Sequence, residues 1–201
     1  MLDKIDVALN GVEIYHKRIP DDITQLLIDA TEEDLQYIAN VKSESRRAEI
    51  LTTRALIRNS LGDNVSLSHS EDGSPILVGS NLNVSISHCK GMAVIATHPN
   101  KRIGIDIERW RNTLLKVKSK FLSQEEMEYY ASPDDILKAW TCKEAVYKAA
   151  NCQGADFAKD IKLPLSNIDN IATVNFCNTT LYFNLITISS NELTLTIAIP
   201  H

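Results

Sequence analysis

The run Ile103-Gly104-Ile105-Asp106-Ile107-Glu108 alternates strictly, and this constrains the chain more than any other feature of its 201 residues. A period of two belongs to a β-strand, whose successive side chains point to opposite faces. Ile103, Ile105 and Ile107 then share a buried face, while Gly104, Asp106 and Glu108 share the other. Two carboxylates two residues apart on one face lie about 7 Å apart at Cα. They repel unless water screens them or a cation bridges them. Oxygen donors without His or Cys favour Mg2+. The plain solvent-facing side of an amphipathic strand accounts for the same pattern.

Around that strand, helix and strand signals alternate. Ser43 or Ser45 can open a helix carrying Ile50, Leu51, Leu56 and Ile57 and ending near Leu61-Gly62. After the Gly73-Ser74-Pro75 turn, Val84 to His88 and Met92 to Ala96 read as a hairpin. Ser132-Pro133-Asp134-Asp135 predicts a helix start, with a capping Ser, Pro in the first turn and acids at the positive end of the dipole. That helix should run to about Asn151, with Gly154 beyond it. Leu181 to Ile188 and Leu193 to Ile199 predict a last hairpin around a Ser-Ser-Asn turn. Each half thus offers a helix and later a terminal hairpin. We expect an α+β pseudo-dimer of two similar lobes, residues 1–100 and 101–201.

Net charge of −5 argues against a general nucleic-acid binder, whose affinity rests on many phosphate contacts. Placement is uneven, however. Residues 1–40 hold nine acids against three bases, and residues 101–120 hold seven bases against Asp106 and Glu108. Such asymmetry points to an anionic ligand or partner, or to a solvated basic face. Cys89, Cys142, Cys152 and Cys177 include no C-x-x-C pair, so a zinc site or disulfide framework is not expected. No apolar run approaches the roughly 18 residues of a membrane span. The start Met1-Leu2-Asp3-Lys4-Ile5-Asp6 lacks the order of a signal peptide, and a cytoplasmic location is expected.

Three further constellations carry candidate chemistry. In Trp140-Thr141-Cys142-Lys143-Glu144-Ala145-Val146-Tyr147-Lys148, Glu144 and Lys148 share one helical face. Glu144 could give the cation a third carboxylate, with Lys143 and Lys148 neutralising phosphate oxygens. An exposed Glu-to-Lys pair worth about 0.3–0.5 kcal/mol is the alternative. His88 ends the Val84/Ile86 strand beside a turn, as a ligand contact or a core-edge residue. Arg47, Arg54 and Arg58 run along one helix, where they could hold a terminal phosphate or line a solvated face.

Their order is more telling than any one of them. Arg-Arg-Ala-Glu-x-Leu-x-x-Arg, Gly-Ser-Pro, Val-Ser-Ile-Ser-His, Gly-Ile-Asp-Ile-Glu, Phe-Leu-Ser-x-x-Glu and Trp-Thr-x-Lys-Glu-Ala-x-x-Lys follow one another from about residue 45 to 150. In this the chain resembles the 4′-phosphopantetheinyl transferases, and more closely the two-lobed Sfp-type enzymes, pseudo-dimers of the holo-[acyl-carrier-protein] synthase unit. The resemblance implies transfer of the phosphopantetheine arm of coenzyme A to a serine of an apo acyl or peptidyl carrier protein, releasing adenosine 3′,5′-bisphosphate. It implies Mg2+ on Asp106, Glu108 and Glu144, and phosphate contacts from Lys143 and Lys148. His88, Arg47 and Arg54 would face coenzyme A phosphates, with Arg47 chosen for the 3′-phosphate. Glu126 holds the position often assigned to the base, a role a metal-bound water could take instead. The expected form is a monomer with its active site between the lobes, docking an acidic carrier on the basic stretch from Arg109 to Lys120.

Some residues depart from the pattern. Glu32-Glu33-Asp34 stands where relatives often carry bases, Ser74 replaces a commoner basic residue, and Cys89 follows His88 where Ser is usual. Two other readings keep part of the machinery: another Mg2+-dependent diphosphate hydrolase or transferase, and a degenerate coenzyme A or carrier-protein binding module.

Overall fold

A computed structural model describes residues 3–5, 11–166, 168–190 and 193–201. Asn191 of the expected Ser-Ser-Asn turn, and Met1, Leu2 and Asp6 of the N-terminal reading, lie outside these residues. The chain forms two compact units, Met1–Asn100 and Lys101–His201. Both combine helices with antiparallel sheet, so the α+β class read from the sequence holds. No helix among the described residues is long and apolar enough to cross a membrane.

In the first unit, β1 (Asp3–Ile5), β2 (Glu13–Arg18), β5 (Asn83–Cys89) and β6 (Met92–His98) make a sheet in the order β1-β2-β6-β5. A separate hairpin joins β3 (Ser66–His69) to β4 (Pro75–Val78). Two short helices, α1 (Thr24–Ile28) and α2 (Glu32–Ile38), precede the 18-residue α3 (Glu44–Leu61). Ser43 caps α3 by accepting from the Arg46 amide, and Gly62 ends it at φ +107°, a conformation that suits glycine. One face of α3 buries Ala48 and Leu51 against Ile19, Ile38 and Ala93. Further along, Leu56 and Ile57 pack with Val65, Leu77 and Ile95.

The second unit begins with β7 (Gly104–Glu108). After it come α4 (Asn112–Val117), a 3-10 turn at Lys118–Lys120, α5 (Gln124–Tyr129) and the 18-residue α6 (Pro133–Ala150). Then β8 (Ile161–Lys162), β9 (Ile171–Phe176), β10 (Thr179–Ser189) and β11 (Thr194–Pro200) complete a sheet in the order β7-β11-β10-β9-β8. The last hairpin is thus a bridge, with β11 pairing β10 on one side and β7 on the other. Ser132 caps α6 in a reciprocal box with Asp135, and Asn151 ends it in the left-handed region. Ile136, Ala139, Ala145 and Val146 on α6 bury against Ala172, Val174, Phe183 and Ala198 of the sheet.

Candidate functional site

Gly104 fixes how β7 meets α6. A Cβ on this glycine would stand 1.8 Å from the Ala145 carbonyl oxygen and 2.8 Å from the Ala149 amide nitrogen. No side chain fits there, so strand and helix backbones touch directly. The face of β7 that carries Gly104, Asp106 and Glu108 is therefore covered by α6. A plain solvent-facing side does not describe it: Asp106 is only 7% exposed, while Ile103, Ile105 and Ile107 are buried on the opposite face. The same contact sets Glu144 and Lys148, four apart on α6, beside the strand's acids.

The carboxylates there are held in different ways. Lys148 Nζ donates to Asp106 Oδ1 at 2.8 Å and to the Ile105 carbonyl at 3.0 Å. Glu108 pairs with Arg111 through Oε2 at 2.8 Å and accepts the Arg109 amide on Oε1 at 3.1 Å. Glu144, half-buried, has no hydrogen bond or ion pair among the described residues. Burial pushes its carboxyl above the ordinary range, as do the charges of Asp106 and Glu108, with Lys148 and Arg111 opposing. Oxygen donors without His or Cys are the kind a hard divalent cation takes. Among the described residues no three His, Cys, Asp or Glu side chains stand together as a preformed cation cage. Lysine and arginine sit on two of the carboxylates in its place.

Lys143 and Glu126 lie elsewhere, inside the core. Lys143 is 0% exposed and Glu126 2%. The ammonium donates to both Glu126 oxygens at 2.9 and 2.8 Å, and to the carbonyls of Phe157 at 2.9 Å and Ile161 at 2.5 Å. Glu126 also accepts the Ser123 amide on Oε2 and the Leu163 amide on Oε1, each at 2.8 Å. All four lone-pair positions of the carboxylate are taken. Both residues are thus placed inside the fold, engaged with each other and with backbone groups. An ammonium with every proton committed inside the fold has none for a phosphate, and a saturated, buried carboxylate has no place for an incoming hydroxyl. Ser123-x-x-Glu126 is a capping box that opens α5, a signal present in the sequence with a structural meaning. Burial drives the Lys143 ammonium below its ordinary pKa while Glu126 works to raise it.

The three first-unit residues expected to face phosphate divide in the same way. Arg54 is 3% exposed and its fork is spent. Nε donates to Asp34, Nη2 reaches Glu33 at 2.6 Å and Nη1 reaches the Leu67 carbonyl at 2.9 Å, with the Tyr37 ring 5.1 Å from the guanidinium carbon. Arg58 completes the network on Asp34 Oδ2 at 2.6 Å. Burial works against the Asp34 carboxylate, yet Arg54, the Thr31 amide and Arg58 hold its pKa below the ordinary value. Glu33 and Asp34 thus supply counter-charges for Arg54 and Arg58 of α3, and Arg54 is placed inside that network. His88 has Nε2 at 2.9 Å from Glu49 Oε2 and 3.1 Å from Arg46 Nη1. Arg47 is half-buried and its Nε, shielded from water, has no hydrogen-bond partner among the described residues. Glu49 and Arg111, neither singled out by spacing alone, emerge as direct neighbours of candidate residues.

The sequence that carries this arrangement is similar to known proteins. Residues 102–198, which hold the whole β7–α6 cluster, match a family model described as the 4′-phosphopantetheinyl transferase superfamily. Over 185 residues the chain is 27% identical to the 4′-phosphopantetheinyl transferase HetI of Nostoc sp. (strain PCC 7120), covering 80% of this chain and 78% of that protein.

Proposed function

We propose that this chain, a member of the 4′-phosphopantetheinyl transferase superfamily, moves the 4′-phosphopantetheine arm of coenzyme A onto a serine of an apo acyl or peptidyl carrier protein, as a holo-[acyl-carrier-protein] synthase does. The observation that supports this reading is the close Gly104 contact of β7 with α6, with Lys148 on Asp106 and with Glu144 feeling the charges of Asp106 and Glu108, inside the matched segment. In the reaction the partner's serine oxygen attacks the phosphorus joined to the pantetheine arm. The bond from that phosphorus to the bridging oxygen breaks, adenosine 3′,5′-bisphosphate leaves, and the hydroxyl proton passes to water.

Asp106, Glu108 and Glu144 would hold Mg2+, which when bound offsets charge on the diphosphate and orients it. Lys148 is the lysine of the motif with an outlet, its side chain 29% exposed. It is suited to a phosphate oxygen as a mobile point charge. In the first unit, Arg47 brings an Nε with no hydrogen-bond partner among the described residues, and Arg46, beside His88 and Glu49, brings a second guanidinium suited to a terminal phosphate. On this reading residues 1–100 contact coenzyme A and residues 101–201 carry the metal site and catalytic helix. The two units, each with one 18-residue helix on an antiparallel sheet, act as the lobes of a monomeric, cytoplasmic pseudo-dimer.

The test is to incubate an apo carrier protein with the chain, coenzyme A and Mg2+, and to weigh the carrier intact. A gain of one phosphopantetheine, lost when the metal is chelated, is the expected result. Cleavage of coenzyme A with no gain in carrier mass would identify a diphosphate hydrolase. Binding without either change would identify a binding module.

A further inference from the structure

Near the start of α3, one carboxylate oxygen holds two basic side chains that belong to different elements. Glu49 Oε2 lies 2.8 Å from Nη1 of Arg46, three residues back on the helix, and 2.9 Å from Nε2 of His88 on β5. This oxygen is the acceptor the two nitrogens share, and an Nε2 facing a carboxylate carries its proton and donates. The 3.1 Å between Arg46 Nη1 and His88 Nε2 is then the approach of two donors to one oxygen. The trio is only partly shielded, with 53% of the Arg46 side chain, 33% of His88 and 27% of Glu49 exposed. Among the described residues the Arg46 guanidinium is engaged through Nη1 alone, and its Nε and Nη2 have no hydrogen bond. A guanidinium held by one corner keeps an edge of two parallel donors, the geometry that takes a phosphate or a carboxylate. Left to itself, a long and half-exposed arginine samples many rotamers, and ordering it costs affinity when a ligand arrives.

We propose that Glu49 is a positioning residue for anion binding: it fixes the Arg46 guanidinium beside His88, so that the Nε–Nη2 edge meets the terminal phosphate of coenzyme A. The inference rests on the coenzyme A reading given above and adds to it an acid that acts through its two neighbours without touching the ligand. Reach is what this role demands, since one oxygen must meet a residue of its own helix and another on β5. Negative charge is no help to it, because a carboxylate opposes a phosphate nearby. The other oxygen, Oε1, has no contact among the described residues, so an amide nitrogen can stand there. Glutamine therefore keeps the reach without the charge, and aspartate keeps the charge one methylene short.

Calorimetric titration of the full chain with coenzyme A, and separately with 3′-dephospho-coenzyme A, tests this in a buffer containing Mg2+. The wild type should bind coenzyme A the more tightly of the two. Glu49→Ala and Glu49→Asp should each weaken coenzyme A binding by roughly threefold to tenfold, the cost of ordering one long side chain, and leave the dephospho form almost unchanged. Glu49→Asp carries the test if Glu49→Ala does not fold. Glu49→Gln should keep the wild-type preference. In turnover, the loss should appear in KM for coenzyme A with kcat almost unchanged, as for an interaction made equally in ground and transition states. Coenzyme A binding that Glu49→Ala and Glu49→Asp leave unchanged or tighten would overturn the positioning role while the coenzyme A reading stood. So would a Glu49→Gln variant as weak as Glu49→Ala, or a wild type that binds the two ligands equally. No binding of coenzyme A by the wild type would overturn both.

Discussion

Two lysines five residues apart on α6 meet opposite fates. Lys143 turns inward, is 0% exposed and gives every proton to Glu126 and two carbonyls. Lys148 turns toward β7, keeps 29% of its side chain exposed and holds one carboxylate oxygen and one carbonyl. Five residues rotate a helix by well over a quarter turn, so neighbours in a motif need not be neighbours in space. The inner pair is saturated and serves the fold. The outer one is incomplete, beside a glutamate whose side chain has no hydrogen bond or ion pair among the described residues, and groups left incomplete in this way are the ones that can meet a ligand. The first unit repeats the contrast in arginine, with Arg54 spent on Asp34, Glu33 and Leu67 and the Arg47 Nε without a partner among the described residues.

The contrast can be broken most forcefully from the inside. Lys143→Met leaves the Glu126 carboxylate buried without its cation and should cost about 3–5 kcal/mol in urea unfolding. A cost near zero would put Lys143 in the same class as Lys148. Next in size is Gly104→Ala, whose methyl must force β7 and α6 apart. It should destabilise by about 1–3 kcal/mol and weaken any cation-induced rise in Tm, because the acids of the strand and Glu144 of the helix would separate.

A smaller effect concerns pH. The Glu144 carboxyl is raised above its ordinary 4.5 by burial, then by Asp106 and Glu108. A raised carboxyl binds its proton more tightly in the folded state, so its ionisation costs stability. That cost is absent below the unfolded value and grows as pH climbs through the folded one. Glu144→Gln, with no metal present, should therefore raise Tm at neutral pH, and the gain should shrink as pH falls toward 4.5. A gain independent of pH would trace to packing of the amide. The smallest effect belongs to the surface: reversing Lys116 and Lys118 to Glu should raise KM for an acidic carrier protein severalfold with less change in KM for coenzyme A. Equal changes would remove the docking role of that stretch.

Local chemistry made the long helices legible. Ser43 and Ser132 cap α3 and α6, and Gly62 and Asn151 end them where the sequence places the stops. The alternation of residues 84–88 and 92–96 gave the β5–β6 hairpin, which the structure extends by a few residues. By contrast, β2 reads Glu-Ile-Tyr-His-Lys-Arg and takes its place from pairing with β6 about 80 residues away, which no local pattern announces. The short α2 was written in Thr31-x-x-Asp34, a capping box easily taken for mere acidity.

At the site, the spacing of Asp106, Glu108 and Glu144 was legible because a strand period and a helix period each put the acids on one face. Which basic residues stayed available was not. Lys143 is silenced by Glu126, 17 residues earlier, and Arg54 by Asp34, 20 residues earlier, and only the folded chain brings those pairs together. Gly104 carried a signal of its own, since a glycine inside a strand often marks a close backbone approach.

On the proposed reading the β7–α6 carboxylates, rather than the buried Glu126–Lys143 pair, carry the chemistry. Glu144→Ala tests it most directly, since this side chain has no hydrogen bond or ion pair among the described residues to lose. The measurement is the intact mass of an apo carrier protein after incubation with coenzyme A, Mg2+ and the variant, beside its thermal melt. The expected result is a melt at or above that of the wild type and no gain in carrier mass. A well-folded variant that still delivers phosphopantetheine at the wild-type rate would contradict it.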